Sequence, residues 1–209
     1  MNIERKEAWF TEDSIIEFER FLNTNTNLKI FEFGMGASTI WLSKFPSVSL
    51  LISNEHDKDW FNEVSEQIFQ LGKQPQPHAD NMNFVGFRQC GGDIYEDAEL
   101  IIFGEGKPIK NVNLNFRERP YDWHIKLYDD EYFDCVIVDG RDRVKCLESA
   151  KSKIKPNGLL ILDNSERTEY ASGIELYSGW ERQDFKQPLP DKYGFTYPDW
   201  TTTFFKNTK

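Results

Sequence analysis

Four short segments bring together residue types that can do chemistry, and each follows an apolar run. The first is IFEFGMGAST, residues 30–39. Gly34 and Gly36 permit a tight turn and a close approach of backbone to a ligand. Ser38 and Thr39 then open a helix whose free N–H groups can hold a carboxylate or a phosphate. This is not the dinucleotide fingerprint, because G-x-G-x-x-G requires glycine where Thr39 stands. Glu32 is a further departure: an acid two residues before the first glycine repels a pyrophosphate and attracts an ammonium. The second segment, LLISNEH, ends in Glu55 and His56. A carboxylate at such a strand end can accept both hydroxyls of a ribose. Glu55 follows Glu32 by 23 residues, the length of one strand–helix–strand unit. His56 is either an adenine contact or a plain loop histidine.

The third segment is FDCVIVDGRDR, residues 133–143. Asp139 ends the most apolar strand in the chain, and Gly140 lets backbone approach a ligand. Arg141 and Arg143 either hold an anionic acceptor or pair with surface acids. The fourth is LLILDNSER, residues 159–167, whose Asp163 and Asn164 come 24 residues after Asp139. Neighbouring strand ends would join Asp139, Asp163 and Asn164. Two carboxylates and an amide suit a hard cation such as magnesium; alternatively Asp163 and Asn164 cap the next helix.

The elements that must position these residues alternate. Apolar runs predict strands at 28–33, 48–52, 84–90, 133–138 and 158–162, with two more near 180–186 and 201–206. Helical periodicity falls at 11–22, capped by Thr11, at 57–71, at 142–154, and beyond 165 to about 177. The stretch 91–131 reads as irregular, interrupted by Gly104, Gly106 and Pro108. Strands apolar throughout, alternating with helices, indicate a mostly parallel sheet covered on both faces. Ligands bind such sheets at the carboxyl ends of the strands, beside the topological switch point, which is where the four segments place their polar residues.

Composition narrows the class. Of 209 residues, 39% are hydrophobic, 29% charged and 15% aromatic, a globular balance. A net charge of −10 is a poor footprint for gripping long nucleic acid. Cys90, Cys135 and Cys146 are an odd count without C-x-x-C spacing, against a disulfide scaffold or zinc ribbon and for a reducing compartment. MNIERKEAWF lacks the apolar run of a signal peptide, and no stretch has the roughly 18 apolar residues of a membrane span. The expectation is one cytoplasmic domain over 1–209.

Together, the acid and G-x-G of Glu32, Gly34 and Gly36, the acid Glu55, the acid Asp139 and the KPNGLLILDN run resemble the class I S-adenosylmethionine-dependent methyltransferases. Ser38 stands at the frequent third glycine. The resemblance spans roughly residues 28–165 and implies a doubly wound, mostly parallel seven-stranded α/β sheet, Rossmann-like, with the last strand antiparallel. It implies S-adenosylmethionine as donor: the Gly34–Thr39 turn on its methionine part, Glu32 on its ammonium, Glu55 on its ribose, and His56 and Asp93 on its adenine, beside Asp139 and Gly140. Asp139 with Asp163 and Asn164 is also similar to the cation-dependent O-methyltransferases of catechol and caffeoyl-CoA type, implying Mg2+ at a catalytic triad. Gly140, Arg141 and Asp142 replace their His-Trp-Lys, so the basic lysine is missing and His124 becomes a candidate base. Residues 94–131 form an insertion. The acceptor is expected to be a small molecule, bound through a hydroxyl between Trp9, Phe10, the insertion and Tyr193, Phe195, Tyr197 and Trp200. No amino-methylating D/N/S-P-P-Y/F/W tetrad is present. No nucleic acid or membrane partner is expected, and a second copy of the chain is the one macromolecular partner the sequence leaves open. The competing reading is a nucleoside-binding or regulatory module on the same scaffold.

Overall fold

The computed structural model describes residues 8–73, 82–92, 95–104, 107–117, 120–188 and 199–209. Five strands run parallel in the order β5 (Lys107–Arg117), β2 (Val48–Glu55), β1 (Leu28–Phe33), β6 (Phe133–Val138) and β7 (Ile154–Leu162). β9 (Asp199–Lys206) lies antiparallel to β7, with β8 (Glu181–Pro188) outside it. These seven strands make the doubly wound order expected from the sequence. Two more, β3 (Met82–Gly92) and β4 (Tyr95–Gly104), extend the β5 edge as an antiparallel meander.

The meander corrects one expectation. The run at 84–90 is an edge strand, while the strand beside β2 comes from the stretch read as irregular. Pro108 and Gly104, read as interruptions, lie where β4 and β5 pair, opposite Phe103 and Lys107 respectively.

Alternation along each strand sends side chains to two cores. Ile30, Leu51 and Ile137 pack under α1 (Glu12–Thr24), α2 (Ala37–Leu42) and α3 (Lys58–Lys73), with Phe18, Trp41 and Phe61. Phe31, Phe33, Val136 and Leu160 face α4 (Arg143–Ala150) and α5 (Ala171–Glu175), with Leu147 and Tyr177. Each such large side chain contributes about 1.5–3 kcal/mol on burial. α1 begins after Thr11 as expected, but without a side-chain cap; the Thr11 N–H instead donates to Thr202 Oγ1 at 3.1 Å.

Register does the positioning. Phe33 sits opposite both Asn54 and Val138, and Val138 opposite Leu162. Gly34, Glu55, Asp139 and Asp163 therefore share the next row, at one rim. β1 is the switch point, since the chain leaves it for β2 on one side while β6 lies on the other.

Candidate functional site

The glycine turn is built on a close contact. Gly34 has φ +101°, and a Cβ there would lie 2.6 Å from Gly140 N and 2.7 Å from Asp139 C. The turn is pinned by the Gly34 and Met35 N–H groups, which donate to Asn54 O at 3.0 and 3.2 Å. The Trp60 indole donates to Met35 O at 2.5 Å. Gly36 is different: a Cβ there would meet only the Trp60 ring, at 3.8 Å. A methyl group there would make an ordinary van der Waals contact and no clash.

Glu32 lies beneath this turn with no exposed surface. Ser38 Oγ donates to its Oε1, and Thr39 Oγ1 and Ser53 Oγ donate to Oε2 at 2.6 and 2.5 Å. Both oxygens are held by the chain's own hydroxyls, so Glu32 braces the turn from below instead of meeting a ligand ammonium directly. Ser38 and Thr39 point the same way, down toward Glu32. Burial raises the Glu32 carboxyl to about 7, against the opposing pull of the three hydroxyls. The unfolded chain ionises this group near 4.5, so the native state holds the extra proton between 4.5 and about 7. Its stabilising contribution is complete below 4.5 and is lost as pH rises through about 7, by on the order of 3 kcal/mol. Glu32→Gln should flatten that part of the stability profile, read by urea denaturation at about pH 5 and pH 8; a slope equal to wild type would count against it.

Glu55 is almost fully buried at the end of β2. Its Oε1 accepts the N–H groups of His56 and Asp57 at 2.7 and 2.9 Å, and His56 Nδ1 lies 2.6 Å away. Its carboxyl is raised by burial. Oε2 accepts no hydrogen bond among the described residues and remains available to a hydroxyl. Arg141 Nε donates to His56 Nε2 at 3.2 Å, while Nδ1, close to Glu55 Oε1, is not aligned for a hydrogen bond to it.

Asp139 ends β6 with its side chain 24% exposed. Burial raises its carboxyl to about 6, with the Arg143 and Arg167 charges pulling the other way. Arg143 is buried and ties two strand ends together. It donates from Nε to Gly140 O at 3.0 Å, from Nη2 to Asp139 O and Oδ1 at 2.9 Å each, and from Nη1 to Asp163 O. Asp163 turns toward β9: Oδ1 accepts Trp200 Nε1 and Thr202 Oγ1, both at 2.8 Å. Its carboxyl is raised well above the ordinary range, by burial and then by Asp139.

The magnesium triad expected at Asp139, Asp163 and Asn164 does not fit this geometry. The cation bound to Asp139 and to the Asp163 backbone is Arg143, and Asp163 Oδ1 is occupied by two donors. Asn164 sits in the left-handed region at φ +49°. No metal-holding group of three His, Cys, Asp or Glu occurs among the described residues.

Other expectations divide. Asp93, Tyr193, Phe195 and Tyr197 lie outside the described residues. Phe10 is core, 6.5 Å from the Phe18 ring, while Trp9 is 53% exposed. His124 is buried; Nδ1 pairs with Asn54 Oδ1 at 2.8 Å, and the ring packs on Phe31. That core position does not suit a base for an acceptor.

Sequence reasoning missed Tyr121. Its hydroxyl donates to Asn54 O at 2.9 Å, and its ring fills the space a Gly140 side chain would need, with Cε1 at 2.8 Å. A tyrosine in a stretch without periodicity carries no signal of this. Arg167 was also missed, although its place just after the Asp-Asn strand end could have drawn notice.

No family model and no curated protein matches the chain. Solved structures match its shape. An S-adenosylmethionine-dependent O-methyltransferase from Thermotoga maritima is 12% identical with TM-score 0.57, over 100% of this chain and 70% of its own. An rRNA methylase from Streptococcus thermophilus is 10% identical with TM-score 0.53, over 95% and 99%. A precorrin-6y C5,15-methyltransferase from Geobacter metallireducens is 10% identical with TM-score 0.54, over 96% and 92%. The likeness is one of fold: the chain has the doubly wound fold of class I S-adenosylmethionine-dependent methyltransferases.

Proposed function

We propose that the chain transfers the methyl group of S-adenosylmethionine to a hydroxyl oxygen of a small molecule. The carrying observation is the shared row of Gly34, Glu55 and Asp139 at the switch point. The donor fits what is there. The glycine turn at Gly34 and Gly36 would take its methionine part, Glu55 Oε2 is available to a ribose hydroxyl, and the buried Glu32 and partly exposed Asp139 favour a cation between them. His56, whose backbone is held by Glu55 and whose ring is held by Arg141, borders the adenine side.

The donor supplies an electrophilic methyl carbon on a sulfonium. The chain's share is alignment and proton removal. Alignment alone can supply up to about 7–11 kcal/mol. Asp139, with a carboxyl near 6, is ionised at neutral pH and accepts the acceptor hydroxyl proton as the oxygen–carbon bond forms and the carbon–sulfur bond breaks. Arg143 keeps Asp139 oriented, and beside it burial and the Asp139 charge raise the Asp163 carboxyl. The relatives in fold act on RNA, precorrin and, in one case, by O-methylation; the acidic charge of this chain favours a small acceptor over RNA. No helix among the described residues is long and apolar enough to cross a membrane.

Calorimetry with S-adenosylmethionine and its demethylated product tests the reading. Both should bind, with affinity unchanged by magnesium or chelator, and Glu55→Ala should weaken binding by about tenfold or more. Failure of both nucleosides to bind would end the proposal. Binding without turnover across a panel of hydroxyl acceptors would favour the regulatory module.

A further inference from the structure

Three arginines follow the strand ends at the acceptor side, and they differ in what holds them. Arg143 is satisfied by two carbonyls of its own loop, the Asp139 carboxylate and the Asp163 carbonyl. Arg141 donates to His56. Arg167 is left short. Its Nε is buried and makes no hydrogen bond. The nearest acid, Glu166 Oε1, is 3.9 Å away, and Glu166 Oε2 accepts the Thr201 N–H at 2.9 Å instead. Nη1 makes one long contact, 3.4 Å, to Tyr170 OH.

The turn that carries Arg167 is closed at both ends: its N–H donates to Asn164 O at 3.2 Å, and its carbonyl accepts the Tyr170 N–H at 3.1 Å. The side chain is thus presented from a fixed backbone. Its charge acts on Asp139 second only to that of Arg143 among cations, yet no hydrogen bond joins the two. A buried donor without a partner is costly, and a guanidinium fork matches a carboxylate or phosphate with two parallel bonds.

We infer that the methyl acceptor is a hydroxylated oxyanion, a carboxylate or phosphate compound, whose anionic group is received by Arg167 while its hydroxyl meets Asp139. This rests on the methyl-transfer reading and names its substrate class. Arg167 is then a specificity-determining residue.

The test titrates inorganic phosphate and benzoate into the whole protein by calorimetry, with and without the demethylated donor product. One of the two anions should bind saturably, which also distinguishes the phosphate and carboxylate sources. Arg167→Gln should weaken that binding by about tenfold to a hundredfold, leaving donor-product affinity unchanged, and Arg167→Lys should recover part of it. Thermal melting of both variants checks folding, and the partly exposed position makes Arg167→Lys the safer of the two. Absence of saturable anion binding in wild type, or binding that Arg167→Gln does not weaken, overturns the inference. Anion binding through Arg167 without donor-product binding would keep the oxyanion site and remove the methyl-transfer reading.

Discussion

Asp139→Asn should lower kcat by about a hundredfold to ten-thousandfold, the usual worth of a positioned general base, while donor-product affinity changes by less than about threefold. An asparagine can keep a hydrogen bond from Arg143 Nη2, so the ends of β6 and β7 stay tied. What disappears is the group that takes the proton. The pH profile makes the same point from another side. A base raised to about 6 must be ionised to work, so wild-type kcat/KM should rise with pH through about 6 and then level. Asp139→Asn should lack that rise. A profile flat from about pH 5 to pH 8 in the wild type, or a variant with full turnover, would assign the base elsewhere.

Gly34→Ala should cost about 3 kcal/mol or more in folding stability and abolish donor binding. Two separate obstacles meet there. The backbone is in the left-handed region at φ +101°, and the new methyl would lie 2.6 Å from Gly140 N, which is main chain and cannot swing aside. Relief would require β1 and β6 to part at the row that carries the site. Gly36→Ala is the matched control. Nothing there is closer than Trp60 at 3.8 Å, so stability should hold within about 0.5 kcal/mol while the methyl takes room assigned to the donor. Chemical denaturation and calorimetry on the pair separate the two roles. Equal stability of Gly34→Ala and wild type would contradict the close contact.

Much of this was readable before the structure because the decisive strands are buried on both faces. Phe133–Val138 and the run ending at Leu162 are continuous apolar stretches, a pattern with few alternatives, and the acids after them fall in place through register. Glu32 was legible as an acid before a glycine turn. Its partners were not, since Ser38, Thr39 and Ser53 come from two segments that only the β1–β2 pairing joins. Two acids at neighbouring strand ends suggested a metal, but whether the cation between them is an ion or Arg143 depends on a side chain reaching back from α4. The strands β4 and β5 escaped notice because their sequences interleave charges with apolar residues and carry glycine or proline near their paired ends.

The carbonyl of Asn54 receives three donors, two from the glycine turn and one from Tyr121. The segment linking β5 to β6 is therefore fastened to the glycine turn, under the proposed donor site. Chimeras that transplant this connection from another protein of the same fold would also unfasten the glycine turn, unless the graft retains a tyrosine at position 121. Swapping the region after β7 carries no such penalty at Asn54, which makes it the better place to begin re-engineering.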